Sequence, residues 1–167
     1  MLGDSILNNQ KYVPAQDSIP YLLNQQFHLI NLAKDNATIT SVYSQLNKIP
    51  IDLNNSNTFI FVSVGGNDII NNKQNINQYI EKYNTLLESI KTRLSKSNII
   101  ILNLYFPIES HEEYYNEINI WNNNIKNQSI KSIDLTNIIK SPNDLTAYIE
   151  PSSIGGKKIA SAIISSL

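Results

Sequence analysis

The sequence predicts an α/β domain in which helices wrap a parallel sheet, and three observations carry that expectation. Its 167 residues suffice for one sizeable core but not for two domains and a linker, so residues 1–167 read as a single unit. Short apolar runs rich in β-formers alternate with longer amphipathic stretches, the pattern of strands joined by crossover helices. Three of the four clear runs are dense in Ile, Val or Leu, as strands buried on both faces require.

In chain order, only Met1 and Leu2 precede a turn at Gly3, so the first strand is expected to be a stub, truncated relative to the usual five or six residues, or the chain to start late. A helix is expected over Ser18 to Gln26, a strand over Phe27 to Ala33, a helix over Thr38 to Asn47 and a strand over Thr58 to Val64. The stretch from Asn75 to Ser95 places Ile76, Ile80, Tyr83, Leu86, Leu87, Ile90 and Leu94 on one helical face. A strand over Asn98 to Tyr105, a helix over His111 to Asn127, a strand over Ser129 to Leu135 and a helix over Ile154 to Ser166 complete the chain. Asn-rich segments at Asn54 to Asn57, Asn71 to Asn77 and Asn122 to Asn127 fall between elements, where caps and turns use Asn.

Composition narrows the function. Charged residues are only 16% and the net charge is −1 with one arginine, Arg93, which argues against a nucleic-acid partner, since phosphate tracking needs a basic surface. Without cysteine there is no thiolate metal site and no Cys nucleophile, and two histidines make a histidine-rich metal centre improbable. The most apolar stretch, Ile99 to Ile108, is interrupted by Asn103 and Pro107 and falls short of a membrane span, and no signal peptide precedes Gly3, so a cytoplasmic protein is expected.

Three clusters can carry chemistry, each following a strand or opening a helix, where open α/β sheets place their sites. Leu2-Gly3-Asp4-Ser5-Ile6 can present a hydroxyl and a backbone N–H above the sheet, although its flanks lack the G-x-S-x-G elbow. Val62-Ser63-Val64-Gly65-Gly66-Asn67-Asp68 bends sharply and could aim the Asn67 amide at a developing oxyanion; a plain turn with Asn67 or Asp68 as helix cap is the alternative. Glu150-Pro151-Ser152-Ser153-Ile154-Gly155-Gly156 has the residues of a helix start. Asp4, Asp68 and Asp144 read most simply as turn or cap residues.

The order and spacing of these clusters resemble the SGNH, or GDSL, hydrolase family over essentially the whole chain. That resemblance implies a flavodoxin-like three-layer α/β/α fold with strand order 2-1-3-4-5, and hydrolysis of an ester or acetyl group on a small-molecule substrate without metal or organic cofactor. It implies that Ser5 is the nucleophile, that Gly65 and Asn67 form the third conserved block with the Asn67 side chain in the oxyanion hole, and that Asn36 stands where the family has a Gly whose N–H joins the hole. Asn tolerates positive φ, so that backbone donor can survive.

The last block departs from the family. Aligning Pro151, Ser152 and Gly155 puts Glu150 where the family's His belongs and Ala147 where its Asp belongs, while starting from Asp144 puts Ala147 in the His position. The form with Ile149-Glu150-Pro151-Ser152 resembles a divergent branch. Ser needs a proton acceptor with a pKa near the working pH, and Glu150 qualifies if burial raises it. His111, on the C-terminal side of the sheet, is a possible alternative base; His28 lies at the opposite end. The alternative function is an inactive or weakened binding protein on the same fold. A flavin or nucleotide module is disfavoured because the first turn lacks a phosphate-cradling loop.

Overall fold

The computed structural model describes residues 1–109 and 111–167. Four parallel strands form the central sheet in spatial order β1 (Leu2–Gly3), β2 (Phe59–Ser63), β3 (Asn98–Leu102) and β4 (Lys131–Ile133). Leu2 pairs with Val62, Ile60 with Ile99 and Leu102 with Ile133. Val62, Ile101 and Leu102 are wholly buried, which is why these runs lack the alternation of a half-exposed strand. The first strand is indeed a two-residue stub.

Helices flank this sheet. Helix α1 (Ile19–Asn24) packs against the terminal helix α6 (Ser153–Ser165), whereas α2 (Ile39–Leu46) packs on α4 (Ile76–Arg93) and α4 on α5 (Tyr115–Lys126). Tyr83, Leu86, Leu87 and Ile90 form the buried stripe of α4, and Tyr83 meets the buried Trp121 of α5 with ring centroids 4.8 Å apart. Among the described residues no helix is long and apolar enough to cross a membrane.

The run from Phe27 to Ala33 does not become a regular strand, although it holds the place of one. Met1 N donates to Ile30 O at 2.7 Å, Leu32 N to Met1 O at 2.9 Å and Lys34 N to Gly3 O at 2.9 Å, so the segment runs along the outer side of β1. The rung that would complete the ladder is taken by a side chain: Gly3 N donates to Gln45 Oε1 at 2.7 Å, and Gln45 Nε2 donates back to Gly3 O at 2.9 Å. Counting that segment as the second run, the arrangement is the flavodoxin-like 2-1-3-4-5.

Two helix starts differ from expectation. A short helix, α3 (Gly66–Asn72), begins immediately after β2, so Gly65 caps it rather than Asn67 or Asp68. The helix expected from His111 starts later: His111 has left-handed backbone (φ 60°), a 3₁₀ turn covers Glu112–Tyr114, and α5 follows.

Candidate active site

Ser5 sits in a turn that only glycine permits. Gly3 has φ +135°, and a Cβ there would lie 1.7 Å from Ser63 O, so the chain can pass β2 and reverse only without a side chain. Asp4 N then donates to Ser63 O at 3.1 Å, Asp4 O accepts from Leu7 N and Asn8 N, and Asp4 Oδ1 accepts from Ile6 N at 3.0 Å. Those bonds fix the turn around Ser5, whose own N–H has no partner among the described residues.

The second cluster clamps the neighbouring loop. Asn67 Nδ2 donates to Ala37 O at 3.0 Å with one of its two hydrogens, the other having no partner among the described residues, while Asp68 Oδ2 accepts from Ile39 N at 3.0 Å at the start of α2. Gly65, at φ +117°, lies over the Trp121 ring, which a Cβ would approach to 2.3 Å. Asn36 is left-handed, φ 59°, the conformation that suits the glycine it replaces. Its side chain is exposed and donates to Asp35 Oδ2 at 3.3 Å, and its N–H faces the Asp35 carboxylate.

Glu150 is carried by a two-stranded antiparallel hairpin, β5 (Leu145–Thr146) and β6 (Glu150–Pro151), in which Thr146 opposes Glu150. Its tip turns through Ala147 (φ 44°) and Tyr148 (φ 71°), and the Tyr105 hydroxyl donates to Ile149 O beside it. Behind β6, Ser152 Oγ caps α6 by accepting from Ile154 N and Gly155 N at 3.2 Å, and Gly155 lies so close to Asp144 that a Cβ would meet Asp144 O at 2.0 Å. Asp144 itself is structural. It accepts from Lys140 N and Ser141 N and pairs with Lys158 at 2.7 Å, and despite its burial these partners hold its carboxyl below the ordinary value.

Ser5, Asn67, Glu150 and His111 all line one cavity of about 150 Å3 at the C-terminal ends of the strands, walled by Ile6, Ile69, Leu104, Tyr105 and Ile118 among others. Neither Asn36 nor Gly65 lines it. Glu150 is 9% exposed, and burial raises its carboxyl above the ordinary range; the Ser5 and Tyr12 hydroxyls pull it back, and the nearby Asp35 charge pushes it further up. One of its oxygens, Oε2, is buried with no hydrogen-bond partner among the described residues. Burial likewise pushes Asp4 up to about 8 and raises Asp68. His111 is half-exposed and faces Glu113 at 3.4 Å. His28 is at the opposite end of the sheet, beside Met1 and Phe59. Among the described residues no group of three His, Cys, Asp or Glu is placed to hold a metal ion.

Tyr12 and Asp35 also belong to this region, and no motif marks them. Tyr12 Oη donates to Asp35 Oδ1 at 2.7 Å, and Lys11 pairs with Asp35 at 2.7 Å. The only trace in the sequence is a pair of polar residues in loops beside the first and second blocks.

The fold is shared with known proteins. Comparison with the curated proteins finds no match. Among solved structures, the lipase Lip_vut3 from a goat rumen metagenome superposes with a TM-score of 0.79 at 20% identity, covering 98% of this chain and 94% of that one. A member of the lipolytic G-D-S-L family from Veillonella parvula gives 0.79 at 15% identity, covering 98% and 93%. An acetyl-xylooligosaccharide esterase from Geobacillus gives 0.69 at 15%, covering 98% and 90%. At such identities these likenesses establish the fold. The family described as GDSL-like lipase/acylhydrolase matches residues 1–162, nearly the whole chain, and with the Gly-Asp-Ser turn and the Gly65-x-Asn67-Asp68 clamp in place this protein belongs to that family of hydrolases.

Proposed function

We propose that the protein hydrolyses small carboxylic esters, with Ser5 as nucleophile and Glu150 as its proton acceptor. The observation that carries this reading is that three residues from distant parts of the chain, Ser5, Asn67 and Glu150, line one apolar cavity. Ser5 Oγ attacks the ester carbonyl carbon as its proton passes to Glu150. The carbonyl electron pair moves to oxygen, where Ser5 N–H and the second Asn67 Nδ2 hydrogen receive the negative charge. Collapse expels the alcohol, which takes the proton from Glu150. Water then attacks the acyl-serine, its proton passes to Glu150 and on to Ser5 Oγ, and the acid leaves. Asn36 contributes through the turn that sets Ala37 O, the acceptor that orients Asn67.

Burial suits Glu150 to this task, because a carboxyl raised towards neutrality accepts a proton more readily than one at its reference value of about 4.3. The cavity volume matches that of a cavity that admits a benzene-sized guest, so a short apolar acyl chain fits. Labelling with a fluorophosphonate probe and turnover of a chromogenic butyrate ester test the reading. Ser5→Ala is expected to lose both, and Glu150→Gln to lower kcat at least about 100-fold. Turnover that survives Ser5→Ala overturns the nucleophile. Turnover that survives Glu150→Gln but is lost in His111→Ala transfers the base to His111, which lines the same cavity. A protein that shows neither labelling nor turnover is the binding protein instead.

A further inference from the structure

Among the described residues five other than glycine have left-handed backbone, and four of them stand in two loops beside the cavity: Glu109 (φ 62°) and His111 (φ 60°) after β3, and Ala147 (φ 44°) and Tyr148 (φ 71°) at the tip of the β5–β6 hairpin. Bulky residues avoid such backbone, and where it persists it clusters at sites of function. Tyr148 is the odd one. Burial does not explain it, because it is 77% exposed, and the turn does not either, because glycine or asparagine would make the same tip without strain. The tip is nevertheless held: Ile149 N donates to Ala147 O at 2.9 Å, and Ile149 O accepts from the Tyr105 hydroxyl. The Tyr148 ring stands 6.4 Å from that of His111, centroid to centroid, with 80° between their planes, and His111 lines the cavity that holds Ser5. Tyr114, 6.0 Å from His111, lines it too.

We propose that Tyr148, with His111, is a platform for a flat ring carried by the alcohol half of the substrate. This rests on ester hydrolysis at Ser5. The leaving alcohol takes its proton from Glu150, so its oxygen sits beside β6, and what that oxygen carries has the hairpin tip, two residues away, as its neighbour. The buried apolar walls formed by Ile69, Leu104 and Ile118 take the acyl chain, so the alcohol half extends towards solvent. A ring that lies flat on Tyr148 presents its edge to His111, and stacked and edge-to-face contacts are both favourable. The chemistry recognised is that of a ring with an apolar face, which aryl alcohols and pyranosides share.

The test compares esters with one acyl group. Benzyl butyrate and a methyl glucoside carrying butyrate on its primary hydroxyl each bring a ring, n-hexyl butyrate brings none, and the ratio of kcat/KM for ring over chain is read. Tyr148→Ala is expected to lower that ratio about fivefold, and Tyr148→Phe, which keeps the ring, to preserve it. The benzyl and glucoside arms show which kind of ring is taken. Tyr148→Gly suits the left-handed backbone better than tyrosine and is expected to lower the ratio equally, with a Tm no lower than that of the unmodified protein. A ratio unchanged for both rings in Tyr148→Ala and Tyr148→Gly overturns the platform. So does a ratio lost in Tyr148→Phe, or one that falls in Tyr148→Gly only alongside a fall in Tm, which marks a structural tyrosine. Binding is read apart from turnover with N-benzylbutanamide and N-hexylbutanamide, amides that resist hydrolysis, titrated by NMR. The benzyl amide is expected to bind about fivefold tighter, to shift the Tyr148 ring signals and to lose that advantage in Tyr148→Ala. If no ester is turned over, the hydrolase reading fails alone and the amide titration still decides the platform: equal benzyl-amide affinity in the unmodified protein and Tyr148→Ala overturns it.

Discussion

Asp4 shows how far a residue's surroundings can depart from its place in a motif. In sequence it is the middle of a Gly-Asp-Ser turn; in the folded chain it is 1% exposed, and burial, with Glu150 and Asp68 nearby, pushes its carboxyl up to about 8. The unfolded chain releases that proton near pH 4 and the folded chain keeps it. Asp4 therefore adds stability that is complete below about pH 4 and is lost as the pH rises towards 8, by up to about 1.4 kcal/mol per unit. Urea unfolding at pH 5 and pH 8 is expected to show Asp4→Asn losing less stability across that interval than the parent; equal losses contradict the assignment. Ser5 and Asn67 were legible because each follows a glycine turn whose geometry leaves little choice. The Tyr12–Asp35 pair was not, because it joins two loop residues 23 positions apart that no motif marks.

At the scale of elements, periodicity located β2, β3, β4 and all five expected helices, with ends shifted by a few residues. It misjudged Phe27 to Ala33, whose β-forming side chains say nothing about a glutamine from α2 taking the rung at Gly3. It also could not separate α3 from the turn before it, since Gly65 is compatible with either. The hairpin β5–β6 was hidden because two-residue strands carry no pattern, and its tip uses Ala147 and Tyr148 where glycine or asparagine would signal a turn. This hairpin is braced against α6 by Gly155. Gly155→Ala would force a Cβ into Asp144 O, displacing the segment that carries Glu150. The expected outcome is a loss of ester turnover much larger than that of Ser152→Ala, which removes a helix cap and costs about 1 kcal/mol of stability. Comparable turnover in the two variants, measured with urea midpoints alongside, contradicts that bracing role.

Over the whole molecule, Gln45 joins the outer segment, β1 and α2 through Gly3. Gln45→Leu leaves the buried Gly3 N–H without its partner, so a loss of about 1–3 kcal/mol is expected, seen as a fall in Tm of roughly 2–12 °C. An unchanged Tm would mean that the sheet edge closes by itself. Asn9 and Pro151 are joined across 142 positions of sequence. During synthesis Ser5 precedes Glu150 by 145 positions of sequence (150 − 5), so the proposed nucleophile leaves the ribosome long before the proposed proton acceptor exists. Contacts of such separation form late in folding. If Glu150 activates Ser5 as proposed, reaction with the fluorophosphonate probe therefore reports on chains synthesised past Glu150: a nascent chain stalled before it carries the same serine without that proton acceptor.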